Sequence, residues 1–225
     1  MAKKLITEQD ILKAHRDGAR SIEIDGNVMI TPSARDAAQS YSIEFVQTQS
    51  SRASTKRFFD SVQHHTPSDP STKQKFVVAV GADHGGFQLK ENLKKTLLEM
   101  GYRVADVGTH SDEACDYPDF AYAVAALVAS GNAERGIMID AVGIASAIVA
   151  NKVPGIRAVP CWNEFVARSS REHNDANVLT LGGRVIGSEL AKAIMKAWLE
   201  TGFGGGRHQT RVKKIADVEK KTLMG

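Results

Sequence analysis

The chain has 225 residues, 42% of them apolar and 24% charged, so it can bury a core and is not disordered as a whole. Lys and Arg number 29 against 26 Asp and Glu, a formal net charge of +3, with 11 basic and 9 acidic residues before position 76 and 18 and 17 after it. Neither part is a polycation suited to a phosphate backbone, which argues against a nucleic-acid partner. A run of about 18 apolar residues, the length that crosses a bilayer, is missing, so no membrane span is expected. The first ten residues carry two lysines and no apolar signal core, and two cysteines, Cys115 and Cys161, make neither a disulfide framework nor a CxxC metal site. A reduced, cytoplasmic protein is the expectation.

The first 46 residues read as a small α/β module. Thr7 and Asp10 have the spacing of a capping pair, after which Ile11, Leu12, His15 and Ala19 fall on one helical face. Ser21 to Ile24 alternates as a strand does, Asp25-Gly26 is a turn signal, and Val28 to Ile30 resumes the strand. Thr31-Pro32 opens a second helix through Ser40, and Ile43 to Val46 reads as a further strand. Residues 47–75 hold six Ser, four Thr, four Gln and two Pro, with Ala53, Phe58, Phe59 and Val62 as their apolar residues. That composition predicts a linker, with Lys56-Arg57-Phe58-Phe59 as its odd feature.

From residue 76 the pattern is regular. Short apolar runs at Phe76 to Val80, Tyr102 to Val107, Gly136 to Ile139, Ile156 to Cys161 and Val178 to Leu181 are each followed by a helical stretch. Those stretches are Phe87 to Met100, Pro118 to Ser130, Gly143 to Asn151, Glu164 to Arg171 and Ser188 to Thr201. Five strand–helix units predict an α/β fold: a five-stranded parallel sheet with helices on both faces. In such folds ligands bind at the carboxyl ends of the strands.

Those ends carry chemistry. The first strand runs into Asp83-His84-Gly85-Gly86-Phe87, where paired glycines let backbone amides approach a ligand and Asp83 and His84 offer acid–base groups. A turn-forming Asp and a helix-capping Gly read the same way. The third strand ends in Asp140-Ala141-Val142-Gly143-Ile144-Ala145-Ser146, and a carboxylate closing a buried strand is costly unless it is paired or used. As an N-cap for the next helix it would also be satisfied. Ser170 to Asn177 is polar throughout except for Ala176, and its His173 offers an acid–base group. Arg184 follows the last strand, and Arg207 and Arg211, four apart, share a helix face from which two guanidinium groups can fork onto one phosphate. A solvated basic terminus is the alternative.

Residues 76–220 resemble the type B ribose-5-phosphate isomerase and galactose-6-phosphate isomerase family along their length. The motifs are Asp83-His84-Gly85-Gly86-Phe87, Asp116-Tyr117-Pro118-Asp119, Ala150-Asn151-Lys152-Val153-Pro154-Gly155, the run Arg171 to Leu179, and Gly205-Gly206-Arg207-His208-Gln209. The resemblance implies a Rossmann-like sheet, a homodimer or homotetramer with sites shared across a dimer interface, a sugar-phosphate substrate, no metal and no organic cofactor. It implies that His173 opens the sugar ring, that Asp83, Tyr117 and Asn174 hold hydroxyls, and that His84, Arg184, Arg207 and Arg211 hold the phosphate.

At the enolising base the chain departs from the family pattern. Where ribose-5-phosphate isomerases of this type commonly read Cys-Gly-Thr-Gly, this sequence reads Asp140-Ala141-Val142-Gly143, and with Ser146 it looks like the cysteine-lacking A subunit of galactose-6-phosphate isomerase, which works beside a B subunit. Three readings follow. Asp140 is itself the base, with Ser146 in the catalytic set and Gly143 among the substrate-binding residues, since desolvation makes a carboxylate more basic; or a cysteine-bearing homologous subunit is required; or the chain binds sugar phosphates without turning them over. Cys161, late in a buried strand, reads as a packed thiol, and Cys115 near Tyr117 is a reserve candidate. In the front module, Lys3 to Arg16 and Ile30 to Asp36 resemble the N-terminal segment of ethanolamine-utilisation proteins of bacterial microcompartments. That resemblance implies a docking or encapsulation role, with a microcompartment shell as partner and its interior as the setting.

Overall fold

A computed structural model of the chain describes residues 5–24, 28–47, 63–66 and 75–223. It divides into two units, Met1–His64 and His65–Gly225.

The first unit contains β1 (Leu5–Ile6), α1 (Glu8–Arg16), β2 (Ser21–Ile24), β3 (Met29–Ile30), α2 (Pro32–Ser40) and β4 (Glu44–Gln47). The Thr7–Asp10 pair caps α1: Asp10 Oδ2 accepts from the Thr7 N–H at 3.0 Å and from its hydroxyl at 3.1 Å. Thr31 caps α2 by accepting from the Ala34 N–H at 3.2 Å, with Pro32 in the first turn. The strand resumed after Asp25-Gly26 does not pair back on its predecessor. β1 pairs with β3 and β2 with β4, both in parallel, so each βα unit closes against the other. Ile6, Ile11, Ala34, Ala37, Ala38 and Ile43 form the small core, with Ala14 packed on it. His15 is not part of that face: it is exposed, its ring 4.5 Å from that of Tyr41, because the helix turns Ala14 inward instead.

The second unit is built on a six-stranded sheet ordered β5-β7-β6-β8-β10-β9. Its members are β5 (Gln63–His65), which straddles the unit boundary, β6 (Val77–Ala82), β7 (Arg103–Asp106), β8 (Arg135–Asp140), β9 (Ala158–Pro160) and β10 (Val178–Gly182). The five expected strands are present, and the β6–β7, β6–β8, β8–β10 and β10–β9 pairs are parallel. β5 is the addition, an edge strand inside the stretch read as linker; it escaped because Gln63-His64-His65 has no apolar alternation. The Lys56 to Phe59 feature lies outside the described residues.

Helices α3 (Phe87–Glu99), α4 (Tyr117–Ala129), α5 (Ile144–Ala150), α6 (Glu164–Asn174), α7 (Ser188–Glu200) and α8 (Arg207–Leu223) complete the unit. Strand periodicity assigns the faces. Val78, Val80 and Ala82 join Leu89, Leu93, Leu97, Ile194 and Trp198 of α3 and α7 in one buried cluster. The alternate residue Gly81 meets α4, so closely that a Cβ there would stand 2.6 Å from Val124 Cγ2. Under the first of these faces lies an ion network: Lys90 Nζ donates to Asp106 at 2.7 and 2.9 Å with both side chains fully buried, while Lys94 reaches the same carboxylate at 2.7 Å. After β6 the chain passes to β7 on one side and then to β8 on the other, which makes the β6–β8 crevice the switch point where ligands bind in open α/β sheets.

Candidate active site

Asp83 follows β6 and Asp140 ends β8, so both stand at the mouth of that crevice. Asp83 is 5% exposed and accepts from the Gly86 N–H at 3.0 Å. Burial raises its pKa; the Gly86 N–H and His84 oppose this and the neighbouring Asp140 adds to it. His84 Nδ1 lies 3.2 Å from the N–H and 3.1 Å from the C=O of Cys115, so that backbone holds the ring whether neutral or charged. The Cys115 thiol is 4.0 Å from the same nitrogen, but burial pushes its pKa up, which leaves little thiolate for base chemistry. Cys161 is the packed thiol expected, its pKa pushed up to about 11 by burial.

The Asp140 carboxylate is tightly held. Oδ1 accepts from the N–H of Val142 at 2.7 Å and from that of Gly143; Oδ2 accepts from the Ser146 N–H at 3.0 Å and from the Ser146 hydroxyl. Four donors fill the lone-pair sites of one carboxylate. This loop requires glycine at 143, whose φ is +87° and where a Cβ would meet Leu181 backbone at 2.8 Å. The loops after β6, β8 and β10 touch: the Gly183 N–H donates to the Asp140 carbonyl at 2.7 Å, the Arg184 N–H to the Ala141 carbonyl at 3.0 Å, and a Cβ on Gly183 would stand 2.7 Å from the Gly85 carbonyl. The Arg184 side chain is exposed beside them, and half-buried Tyr117 opens α4 at the same edge of the sheet.

The remaining expected residues form a second cluster. His173 and Asn174 end α6, which returns from the carboxyl edge to the amino edge, and Arg157, next to the start of β9, donates to the Asn174 carbonyl at 3.0 Å. Gly204 donates to the Glu172 carbonyl at 2.9 Å, which sets the start of α8, with exposed Arg207 and Arg211 one turn apart, beside that end. His208, to which the sequence reading gave no role, stacks on His173 with ring centroids 4.4 Å apart. β8, six residues long, separates the two edges by about 16 Å. One chain therefore places Asp83, His84, Tyr117, Asp140, Gly143, Ser146 and Arg184 at the carboxyl edge, and His173, Asn174, Arg207 and Arg211 at the amino edge. The four residues expected to hold one phosphate are split between them.

A mostly parallel sheet covered on both faces, with titratable groups at its switch point, defines an α/β protein of the class that binds ligands at that crevice. Residues 78–215 match the Ribose/Galactose Isomerase family, and the chain belongs to it. It is 49% identical over 144 residues to ribose-5-phosphate isomerase B of Escherichia coli, covering 64% of this chain and 97% of that protein. Over 143 residues it is 42% identical to D-erythrulose-4-phosphate isomerase of Pectobacterium atrosepticum, covering 63% of this chain and 94% of the relative. The structure of Clostridium thermocellum ribose-5-phosphate isomerase B aligns with a TM-score of 0.64 at 53% identity, over 65% of this chain and 99% of that one. Ribose-5-phosphate isomerase B from Mycoplasma genitalium, solved with bound ribulose-5-phosphate, aligns with a TM-score of 0.63 at 35% identity, over 66% and 99%. Each of these relatives is spanned almost whole by roughly two thirds of this chain.

Proposed function

We propose that the chain isomerises a sugar phosphate between aldose and ketose through an enediolate, with ribose 5-phosphate as the first substrate to test and Asp140 as the enolising base. The observation that carries this reading is the carboxylate at the end of β8, buried, at the switch point of a sheet whose family isomerises sugar phosphates. His173 gives a proton to the ring oxygen as the C1–O bond breaks and the C1 hydroxyl yields its proton to solvent, so the ring opens to the aldehyde. Asp140 takes the proton from C2 and returns it to C1, while the O2 hydroxyl proton passes to O1, so atoms balance. To take a proton Asp140 must release one donor. The Ser146 hydroxyl is the one on a rotatable bond, so turning it toward a sugar oxygen frees Oδ2 and offers the substrate a hydrogen bond.

The site is completed by a second copy of the chain. The two clusters lie at opposite edges of the sheet, and beside the carboxyl-edge cluster Val142, Ile144, Ile148 and Val185 are each more than half exposed, an apolar surface suited to a homodimer, itself a building block for a homotetramer. A second reading, a partner-dependent or non-catalytic binding subunit, is favoured by one observation: a carboxylate with four donors is already satisfied. Residues 1–46 dock the enzyme, with a microcompartment shell in a cytoplasmic setting as the partner their sequence suggests.

Incubating the protein with ribose 5-phosphate in deuterated water and following C2 label and ketose by NMR tests the reading. Label or ketose above a protein-free control supports it. Binding without label points to the second reading. With neither, other four- to six-carbon aldose phosphates come next, beginning with the four-carbon class named for the Pectobacterium relative.

A further inference from the structure

Between α7 and α8 the chain turns on Gly204, Gly205 and Gly206, the last two with φ of +60° and +52°. A Cβ on Gly204 would stand 3.1 Å from the Glu172 carbonyl to which its own N–H donates, so glycine lets this turn lie directly on the last turn of α6. α8 starts at once, and its second residue, His208, is laid over His173 with ring planes only 9° apart. One edge of His173 is fixed as well, since Nδ1 lies 3.2 Å from the Ser169 hydroxyl. Among the described residues nothing engages its Nε2, the nitrogen left for a ligand.

Nδ1 of His208 is buried and has no hydrogen-bond partner among the described residues. A buried ring nitrogen left unpaired is a cost, so hydrogen bonding there does not account for a histidine at this place. Its flat face does. Burial first, then His173, Arg207 and Arg211, hold the His208 pKa below the usual histidine value, with Glu172 opposing them.

We infer that His208 is a positioning residue for His173: its ring face sets the plane in which the His173 imidazole meets a sugar. The inference rests on the reading of His173 as the acid–base group given above, and it assigns work to a motif residue that the mechanism leaves idle.

The test uses the full chain with isotopically labelled histidine. His208→Phe keeps a flat ring without nitrogens, while His208→Ala removes the face and His208→Leu replaces it by bulk of no fixed plane. The His173 ring protons, shifted upfield by the stacked ring in wild type, should keep that shift in the Phe variant and lose it in the Leu and Ala variants. With ribose 5-phosphate, kcat of the Leu variant should fall about tenfold with KM within about twofold, and Phe should recover most of the loss, as expected when geometry and not contact is removed. Identical His173 signals in wild type and the Leu variant overturn the inference, as does unchanged kcat in a Leu variant of an active enzyme. A wild type that turns over no sugar phosphate overturns the isomerase reading instead, and the ring-proton comparison still decides whether His208 sets the His173 plane.

Discussion

Replacing Asp140 by Asn changes one atom in the most heavily hydrogen-bonded side chain of the site, and the outcome can be worked from its four donors. The amide keeps one oxygen. Its least costly orientation puts the NH2 in place of Oδ2, because there the Ser146 hydroxyl can reverse and accept, leaving the Ser146 N–H facing a donor. The bonds from Val142 and Gly143 survive but lose their charge assistance. One buried N–H left unpaired and two weakened bonds, less the relief of no longer burying a charge, sum to about 2–4 kcal/mol. In a unit of this size that lowers Tm by roughly 5–15 °C, readable by calorimetry or circular dichroism. Turnover of ribose 5-phosphate should fall about 10²–10⁴-fold, because an amide cannot take a proton from carbon, while equilibrium binding of the sugar phosphate stays within a few-fold. A Tm within a degree of wild type would refute the four-donor arrangement, and turnover within a few-fold of wild type would refute Asp140 as base.

Arg211→Ala should raise KM by the equivalent of about 2–3 kcal/mol, roughly 30–150-fold, with kcat little changed; an unchanged KM reassigns Arg211 to the solvated surface. Asp106→Ala should destabilise by about 3–5 kcal/mol, more than Lys90→Met. It strands fully buried Lys90 with only Glu91 at 2.8 Å, whereas Asp106 without Lys90 keeps Lys94 and the Gly108 N–H. Burial opposes ionisation of Asp106, but the Lys90 and Lys94 cations and the Gly108 N–H outweigh it and hold the pKa below the usual carboxylate value. A lowered folded-state pKa contributes stability above about pH 4 that is lost as pH falls through the lowered value. Chemical denaturation between pH 2 and 7 should show that acid limb in wild type and a shallower one in Asp106→Asn; equal slopes would remove the network from the account.

The parts legible in the sequence were those set by strong local patterns. Continuous Val- and Ile-rich runs mark the parallel strands, and because such runs stop where the sheet stops, the sequence alone puts Asp83 and Asp140 at strand ends. Capping at Thr7 and Thr31 was visible for the same local reason. Beyond β5 and His208, three features were not legible. Lys90 lies in Leu89-Lys90-Glu91-Asn92-Leu93-Lys94, which reads as an ordinary polar face, and only the partner 16 residues on, Asp106, explains its burial. Asp25-Gly26 looked like a turn back on itself, yet pairing across 24 residues, Leu5 with Met29, won because it lets two βα units share one core. Four donors converging on one carboxylate depend on the left-handed Gly143 and on Ser146 arriving one helical turn later, a three-dimensional closure that spacing alone does not announce.

The separation of the two clusters by the length of a strand has a genetic consequence. In the proposed homodimer each working site takes its carboxyl edge from one copy and its amino edge from another, so two different dead proteins can repair each other. A chain carrying Asp140→Asn still offers intact His173, Arg207 and Arg211, and a chain carrying His173→Ala still offers intact Asp140. In their mixed dimer one site inherits both lesions and the other inherits neither. Equal co-expression with random pairing makes half the dimers mixed, so about a quarter of wild-type activity returns from two alleles that have none alone.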